Sequence, residues 1–346
     1  MTQIKKLEKS RVEIESSIEA KKFESWRKKA LENINNEITV DGFRKGKVPE
    51  NILVSKVGEM NVLEEMAELA INEAYPKILI EEKIDAIGRP EIHITKLAKD
   101  NPLEFKIITA IVPEVKIADY KKISKDQKAK KEKIEDVTEK EIEEAILNIR
   151  RSRVDHKGHD HEKMNAEEHQ KLVDASLPEF NDSFVQSLGD FKNISDFKEK
   201  LKEMIAEEKK AKEKEKRRIA ISDKLIEETT IDLPDVFVES EMRRIESQFS
   251  DDIARMGVKL EDYLKHAKKT IEDLRLDWKP HAEKKAKLQL ILNEISKLEK
   301  IIPDEKEVQN EVDHILEHYK DADKEQVRVY AETILMNEKV FQSLEK

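Results

Sequence analysis

Between Asp41 and Pro49 the chain reads DGFRKGKVP, which crowds three cations, one aromatic ring and two glycines into one short segment. Arg44 offers a planar guanidinium fork that binds carboxylate or phosphate through two parallel hydrogen bonds, Lys45 and Lys47 add point charges, and Phe43 provides an apolar anchor beside them. Gly42 and Gly46 open backbone conformations closed to other residues, and Pro49 fixes the exit of the segment. This chemistry suits docking to an acidic partner, although a solvated basic hairpin between helices would carry the same residues. Phosphate cradling is excluded. A P-loop needs four residues between its glycines and Ser or Thr after its Lys, whereas three residues separate Gly42 from Gly46 and Val48 follows Lys47.

A second group of reactive side chains comprises His156, His159, His161 and His169, whose imidazoles suit Zn²⁺, Ni²⁺ or Cu²⁺. No second cluster or rigid frame fixes their geometry, so no functional metal site is expected. The chain has no cysteine, which removes disulfides, thiolate nucleophiles and zinc–cysteine sites together. No Ser/His/Asp or paired-carboxylate arrangement stands out among the solvated charges. Neither catalytic residues nor a cofactor are expected.

Charged residues make up 41% of the 346 and aromatics only 5%, with seven glycines, a composition that favours long, charged helices over a dry active site or a glycine-punctuated β fold. The length predicts two or three structural units. The net charge of −10 argues against bulk attraction to nucleic acid, and no specific DNA partner is expected, because phosphate binding needs concentrated positive charge. No window approaches the ~20 apolar residues that span a bilayer, and the N-terminus lacks a secretory apolar segment. A soluble, unprocessed protein of the reducing cytoplasm is expected, with no membrane partner.

The elements that must position the basic segment mix two periods. Val12, Ile14 and Ile18 alternate as in a half-buried strand, and Phe23, Trp26, Ala30, Leu31 and Ile34 recur at helical spacing. After Pro49 the pattern predicts helices over 50–57 and 62–82, then strands over 91–97 and 103–112 around a turn at Asp100, Asn101 and Pro102. Residues 1–115 thus read as a small α+β domain. Residues 116–134 read as an extended lysine-rich linker, 135–153 as an amphipathic helix that Thr138 caps, and 154–176 as a flexible His-rich loop. Everything in 177–346 reads as helical, with Ser195 as an N-cap. Pro234 opens a helix, Gly257 closes it, and a helix over 260–276 follows, with Pro280 and Pro303 as punctuation. The stretch EEKKAKEKEKRR inside the helix predicted over 196–229 has almost no face to bury.

The segment Gly42-Phe43-Arg44-Lys45-Gly46-Lys47-Val48-Pro49 resembles the ribosome-docking signature of bacterial trigger factors, of the form G-F-R-x-G-x-x-P. The resemblance extends through IGRPEI (Ile87–Ile92) and VPEV (Val112–Val115), resumes at LPEFNDSFVQSLGDF from Leu177, and includes ETTIDLPDVFVESEMRR (Glu228–Arg244). It implies an α+β ribosome-binding domain followed by an elongated all-α C-terminal domain with protruding arms, mainly α overall. It further implies that Phe43, Arg44 and Lys45 contact a protein beside the ribosomal exit tunnel, with Gly42, Gly46, Lys47 and Pro49 completing the loop. The function implied is ATP-independent shielding of nascent and unfolded polypeptides. A non-ribosomal helical scaffold or general holdase is the alternative, and self-association off the ribosome is left open. Trigger factors usually carry an FKBP-like prolyl isomerase domain after the helix corresponding to 139–153, but the interval 154–176 is shorter than the ~50 residues an independent domain needs and has no aromatic residue. No isomerase activity is expected. Core packing is the default role of Leu201, Met204, Ile245 and Phe249, while a cradle with few apolar residues per helix must leave some exposed. The candidates for client contact are Phe237, Met242, Phe249, Met256, Ile334, Met336 and Phe341.

Overall fold

The structure, a computed structural model, describes residues 2–130, 135–154 and 173–346. Two compact units emerge, Met1–Ala118 with Leu225–Val340, and Asp119–Lys224 with Phe341–Lys346. This division cuts through the stretch 177–346 that sequence grouped as one helical domain. The His-rich cluster His156, His159, His161 and His169 lies outside the described residues.

In the first unit β1 (Gln3–Leu7), β2 (Arg11–Ile18), β3 (Ala86–Lys96) and β4 (Leu103–Ile111) form an antiparallel sheet in the order β1-β2-β4-β3. Alternation puts Val12, Ile14 and Ile18 of β2 and Leu103, Phe105 and Ile107 of β4 on one face, each at most 7% exposed. Helices α1 (Ala20–Glu24), α2 (Arg27–Glu37), α3 (Glu50–Val57) and α4 (Glu59–Glu81) contribute Phe23, Ala30, Leu53, Met66 and Ile71 to the same core. Complete burial of Phe105 or Met66 stabilises by ~1.5–3 kcal/mol each. Sequence periodicity does not reveal β1 because this edge strand buries no face, and Lys5 and Lys6 are of the kind that protects such edges. Strand β3 begins earlier than predicted, with a register shift between Ile87 and Glu91 where Pro90 has no N–H to give the ladder. The two-residue strand β5 (Val115–Lys116) follows.

The second unit corrects the linker. Within the stretch read as an extended linker, residues 116–130 are not simply extended: α5 (Tyr120–Ala129) forms because Asp119 accepts the Lys122 N–H at 3.0 Å and Ile123 is buried. Helix α6 (Glu139–Arg151) opens with the capping box of Thr138 and Glu141, and α7 (Asp182–Leu188) and α8 (Ile194–Glu228) follow. Asn193, not Ser195, caps α8, its side-chain oxygen accepting the Asp196 N–H at 2.9 Å. Ile142, Ile146, Val185, Phe197 and Leu201 form the core, with Phe191 set edge-on to Phe197 at 4.9 Å between centroids. Met204, read as core, is 63% exposed one turn beyond Leu201.

After α8 the chain returns to the first unit, where β6 (Thr230–Ile231) pairs with β5 and the helices α9 (Asp235–Arg255), α10 (Leu260–Ala267), α11 (Ile271–Glu299), α12 (Glu305–His318) and α13 (Lys324–Glu345) follow, the last of these belonging to the second unit from Phe341 on. The single helix predicted over 260–276 is two, because Lys268 adopts left-handed φ and Thr270 with Asp273 starts a new capping box. Pro280 lies inside α11 rather than ending it. Ala282 and Ala286, both buried on that helix, hold it by packing that outweighs the one hydrogen bond Pro280 cannot make.

Glu141 yields a prediction with a definite sign. The Lys209 ammonium, hydrogen-bonded to it, and then the Thr138 N–H hold its carboxyl down from the ordinary 4.5 to about 2. A carboxyl lowered on folding stabilises above its unfolded value of ~4.3, and that contribution fades as pH falls toward the folded value. Thermal melting of Glu141→Gln is therefore expected to lie below that of the parent at pH 6, with the difference shrinking steadily from pH 4.5 to 2. A difference independent of pH would contradict it.

Candidate functional site

The basic segment leaves α2 and enters α3 on two apolar feet, Val40 and Val48, both buried in the core of the α+β domain. Gly42 and Gly46 stand at φ of 85° and 78°, and a Cβ on Gly46 would also lie 2.7 Å from the Asn36 side-chain oxygen. Two tight turns shape the path, one closed by the Phe43 N–H on the Val40 carbonyl at 3.1 Å and one by the Lys47 N–H on the Arg44 carbonyl at 2.9 Å. Pro49 occupies the N-cap position of α3, and its carbonyl accepts the Leu53 N–H at 2.9 Å.

Asn35, in the last turn of α2, pins the loop by three hydrogen bonds. Its carbonyl accepts the Gly46 N–H at 2.9 Å, its amide donates to the Val48 carbonyl at 2.8 Å, and its side-chain oxygen accepts the Val48 N–H at 3.1 Å. Sequence reading missed Asn35. Its signal was an Asn pair closing an amphipathic helix just before the basic run.

Arg27 orders the base. It donates to Glu50 at 3.1 Å and makes a two-pronged pair with Glu59 at 2.6 and 3.1 Å, joining the starts of α2, α3 and α4. The Glu59 hydrogen bond pushes the guanidinium pKa up, and Arg27 in turn holds Glu59 below the usual carboxylate range. Glu50 and Glu59 sit in the first turns of α3 and α4, where the helix dipole favours negative charge. With the base fixed, Phe43 is 37% exposed and Arg44, Lys45 and Lys47 are exposed at the tip. No carboxylate among the described residues pairs with these three cations.

The candidates for client contact are scattered. Phe237 and Met336 line one apolar cleft of about 630 Å³, together with Val112, Leu290, Ile302 and Val329. Ile302 is 81% exposed, and a bare Ile-Ile-Pro between charged helices was its sequence signal. Met242 is buried at 3% against Val238 and Ala282 and is a packing residue, a correction to its expected exposure. Phe249 is wedged between Tyr263 and Trp278 at 5.4 and 5.1 Å. Met256 and Ile334 are exposed without lining the cleft, and Phe341 lies in the second unit beneath the Arg218 guanidinium at 5.3 Å. Among the described residues no three His, Cys, Asp or Glu side chains are placed to hold a metal. No described helix is long and apolar enough to cross a membrane.

A small α+β domain offering an unpaired basic loop, joined in one chain to charged helices around an open apolar cleft, has the makings of a chaperone. Comparison with known proteins defines it further. The family model described as bacterial trigger factor protein matches residues 1–149, and that of the trigger factor C-terminus matches residues 193–344. The chain belongs to the trigger factor family of ribosome-associated chaperones. Similar curated proteins include the trigger factors of Carboxydothermus hydrogenoformans, 25% identical over 94% of this chain and 92% of the relative, and Clostridium kluyveri, 22% identical over 99% and 97%. A solved structure from work on promiscuous substrate recognition in folding and assembly activities of the trigger factor chaperone aligns over 99% of both chains with a TM-score of 0.55 and 19% identity, a likeness of fold.

Asn35→Ala removes both side-chain hydrogen bonds to Val48 and leaves its amide short of partners. It is expected to cost about 1–3 kcal/mol in unfolding free energy and to speed amide hydrogen exchange at Gly46 and Val48. Unchanged exchange at both amides would show that the feet alone hold the loop.

Proposed function

We propose that the chain docks on a protein beside the ribosomal exit tunnel through Phe43, Arg44 and Lys45, and shields emerging polypeptide without ATP. The observation that carries this reading is the exposure of one ring and three unpaired cations on a base fixed by Asn35, Arg27, Val40 and Val48. A guanidinium held this way keeps its fork free for a carboxylate or phosphate, and little loop entropy remains to be lost on binding. Gly42, Gly46, Lys47 and Pro49 shape and complete the surface. The working compartment on this reading is the cytoplasm, where ribosomes and nascent chains meet.

The apolar cleft bounded by Phe237 and Met336 receives client side chains. Its lining mixes branched, aromatic and thioether groups with the charged side chains of Glu294, Lys297, Glu305 and Glu332, which suits varied partners with apolar side chains better than one fixed shape. The chain acts without catalysis of proline isomerisation. The two family matches leave only residues 150–192 between them, and the interval 154–176 is too short for an independent domain.

Two measurements test the reading. In co-sedimentation with ribosomes, a variant carrying Phe43→Ala, Arg44→Ala and Lys45→Ala is expected to lose at least ~10-fold in affinity, since a hydrogen bond to a charged group alone contributes ~1.5–3 kcal/mol. Parental pelleting would leave the non-ribosomal holdase or scaffold instead. In refolding of a client whose slow step is proline isomerisation, the parent suppresses aggregation and leaves the slow rate uncatalysed, and Phe237→Ser with Met336→Ser weakens the suppression. An accelerated slow phase, or full suppression by the double variant, would refute the corresponding part.

A further inference from the structure

Two motifs of the sequence, IGRPEI and ETTIDLPDVFVESEMRR, take no part in the loop, yet the structure brings them together. The short stretch from Thr229 to Val236 touches three separate parts of the α+β domain. Ile231 pairs with Val115 and Thr230 with Lys116, and the Thr229 hydroxyl, on a residue only 2% exposed, accepts the Ala118 N–H at 3.3 Å. Val236 fills the space over Gly88, where a Cβ would lie 2.9 Å from a Val236 methyl and φ is already 73°.

The third contact is the most specific. Lys9 and Ser10 in the β1–β2 turn both stand at positive φ, 59° and 45°, so their N–H groups converge on one side. The Asp232 carboxylate fills that concavity, accepting the Lys9 N–H at 2.9 Å on one oxygen and the Ser10 N–H at 2.5 Å on the other. The Ser10 hydroxyl donates to the Asp232 carbonyl at 2.6 Å, and the Lys9 ammonium reaches Asp235 at 2.8 Å. A strained turn of this kind persists only where its surroundings over-determine it, and Asp232 supplies the determinants.

We propose that Asp232 is a positioning residue, which holds the β1–β2 turn and so fixes the α+β domain at one angle to α9 and α11. The functional consequence rests on the docking role of the loop: a domain fixed at one angle holds the cleft at one distance from the surface that the tip engages. Asp232 touches neither partner. The ETTIDLPDVFVESEMRR motif is then one side of a joint whose other side is the β1–β2 turn, β5 and Gly88 of IGRPEI.

The chain has no cysteine, so single spin-label pairs can be placed without background, at Glu64→Cys on α4 and Glu283→Cys on α11, both exposed. Pulsed electron–electron distance measurement on the full chain is expected to give one narrow distribution for the parent. Asp232→Ala should at least double its width at half height while amide protection within α4 and α11 stays at the parental level. Asp232→Asn, which keeps one acceptor oxygen, should fall between the two. An unchanged width in Asp232→Ala overturns the proposal, as does a loss of protection throughout both helices, which marks general destabilisation. If Asp232→Ala loses its cooperative unfolding transition, Asp232→Asn carries the test. Ribosome pelleting of the same variants stays parental, so failure of loop docking shows only in the loop variant and failure of the joint only in the distances.

Discussion

Scarcity of apolar side chains governs this molecule. With 41% of residues charged and 38% hydrophobic, no single core can span the chain, and burial is divided among separate clusters. The α+β domain holds a sheet-and-helix core built on Phe105, Met66 and Ile14, whereas α12 and α13 join through a small cluster around Val308, Val312, Val327 and Ala331 and the ion pairs Arg328–Glu305 and Lys339–Glu307. Between clusters the helices are solvated, and capping boxes at Thr138 and Thr270 fix their ends where packing does not. Among the described residues an apolar cleft likewise stays open, with Ile302 left largely exposed at its wall.

The same constraint decides how the basic tip is displayed. A loop of exposed cations cannot be held by burying its tip, so it is held from below. Val40 and Val48 sink into the core, Asn35 saturates the backbone of Val48, and Arg27 locks three helix starts through Glu50 and Glu59. A net charge of −10 does not oppose this, since exposed charges more than ~10 Å apart are largely screened at ordinary salt. Local geometry, not the overall balance, sets what the tip attracts.

What was legible in the sequence follows from these forces. Helix α3 was read to the residue because Pro49 and Gly58 bracket it, and β2 was plain because Val12, Ile14 and Ile18 alternate onto a buried face. The loop itself stood out through two glycines that need positive φ. Less visible were features decided by partners far along the chain. Strand β1 is an edge with no buried face to give it a period, α5 needs Asp119 and one buried Ile123, and Pro280 is tolerated only because α11 packs on α9. Met242 reads like any other Met on a helix, and only the structure puts it under Ala282. Asp232 has the same difficulty, since it acts on backbone groups more than two hundred residues away, whereas Asn35 had a local signal but its Val48 partner could not be read from it.

Loop and cleft make sense as parts of one scheme when their energies are compared. A cleft of about 630 Å³ accommodates one or two large side chains, each giving ~1.5–3 kcal/mol on burial before the cost of ordering the client. Even the upper sum of ~6 kcal/mol, less that cost, leaves dissociation constants of the order of millimolar or weaker, too weak to retain a dilute polypeptide. Docking where chains emerge would change this without any new contact, because a tethered client is presented at an effective concentration of the order of millimolar. Weak contact would then be an advantage: occupancy would become appreciable while the polypeptide is held nearby, and release would need no ATP once it folds and withdraws its apolar side chains. A tighter cleft would bind free clients but would have to be emptied by work, and no phosphate-cradling loop is present in the sequence to couple such work to it.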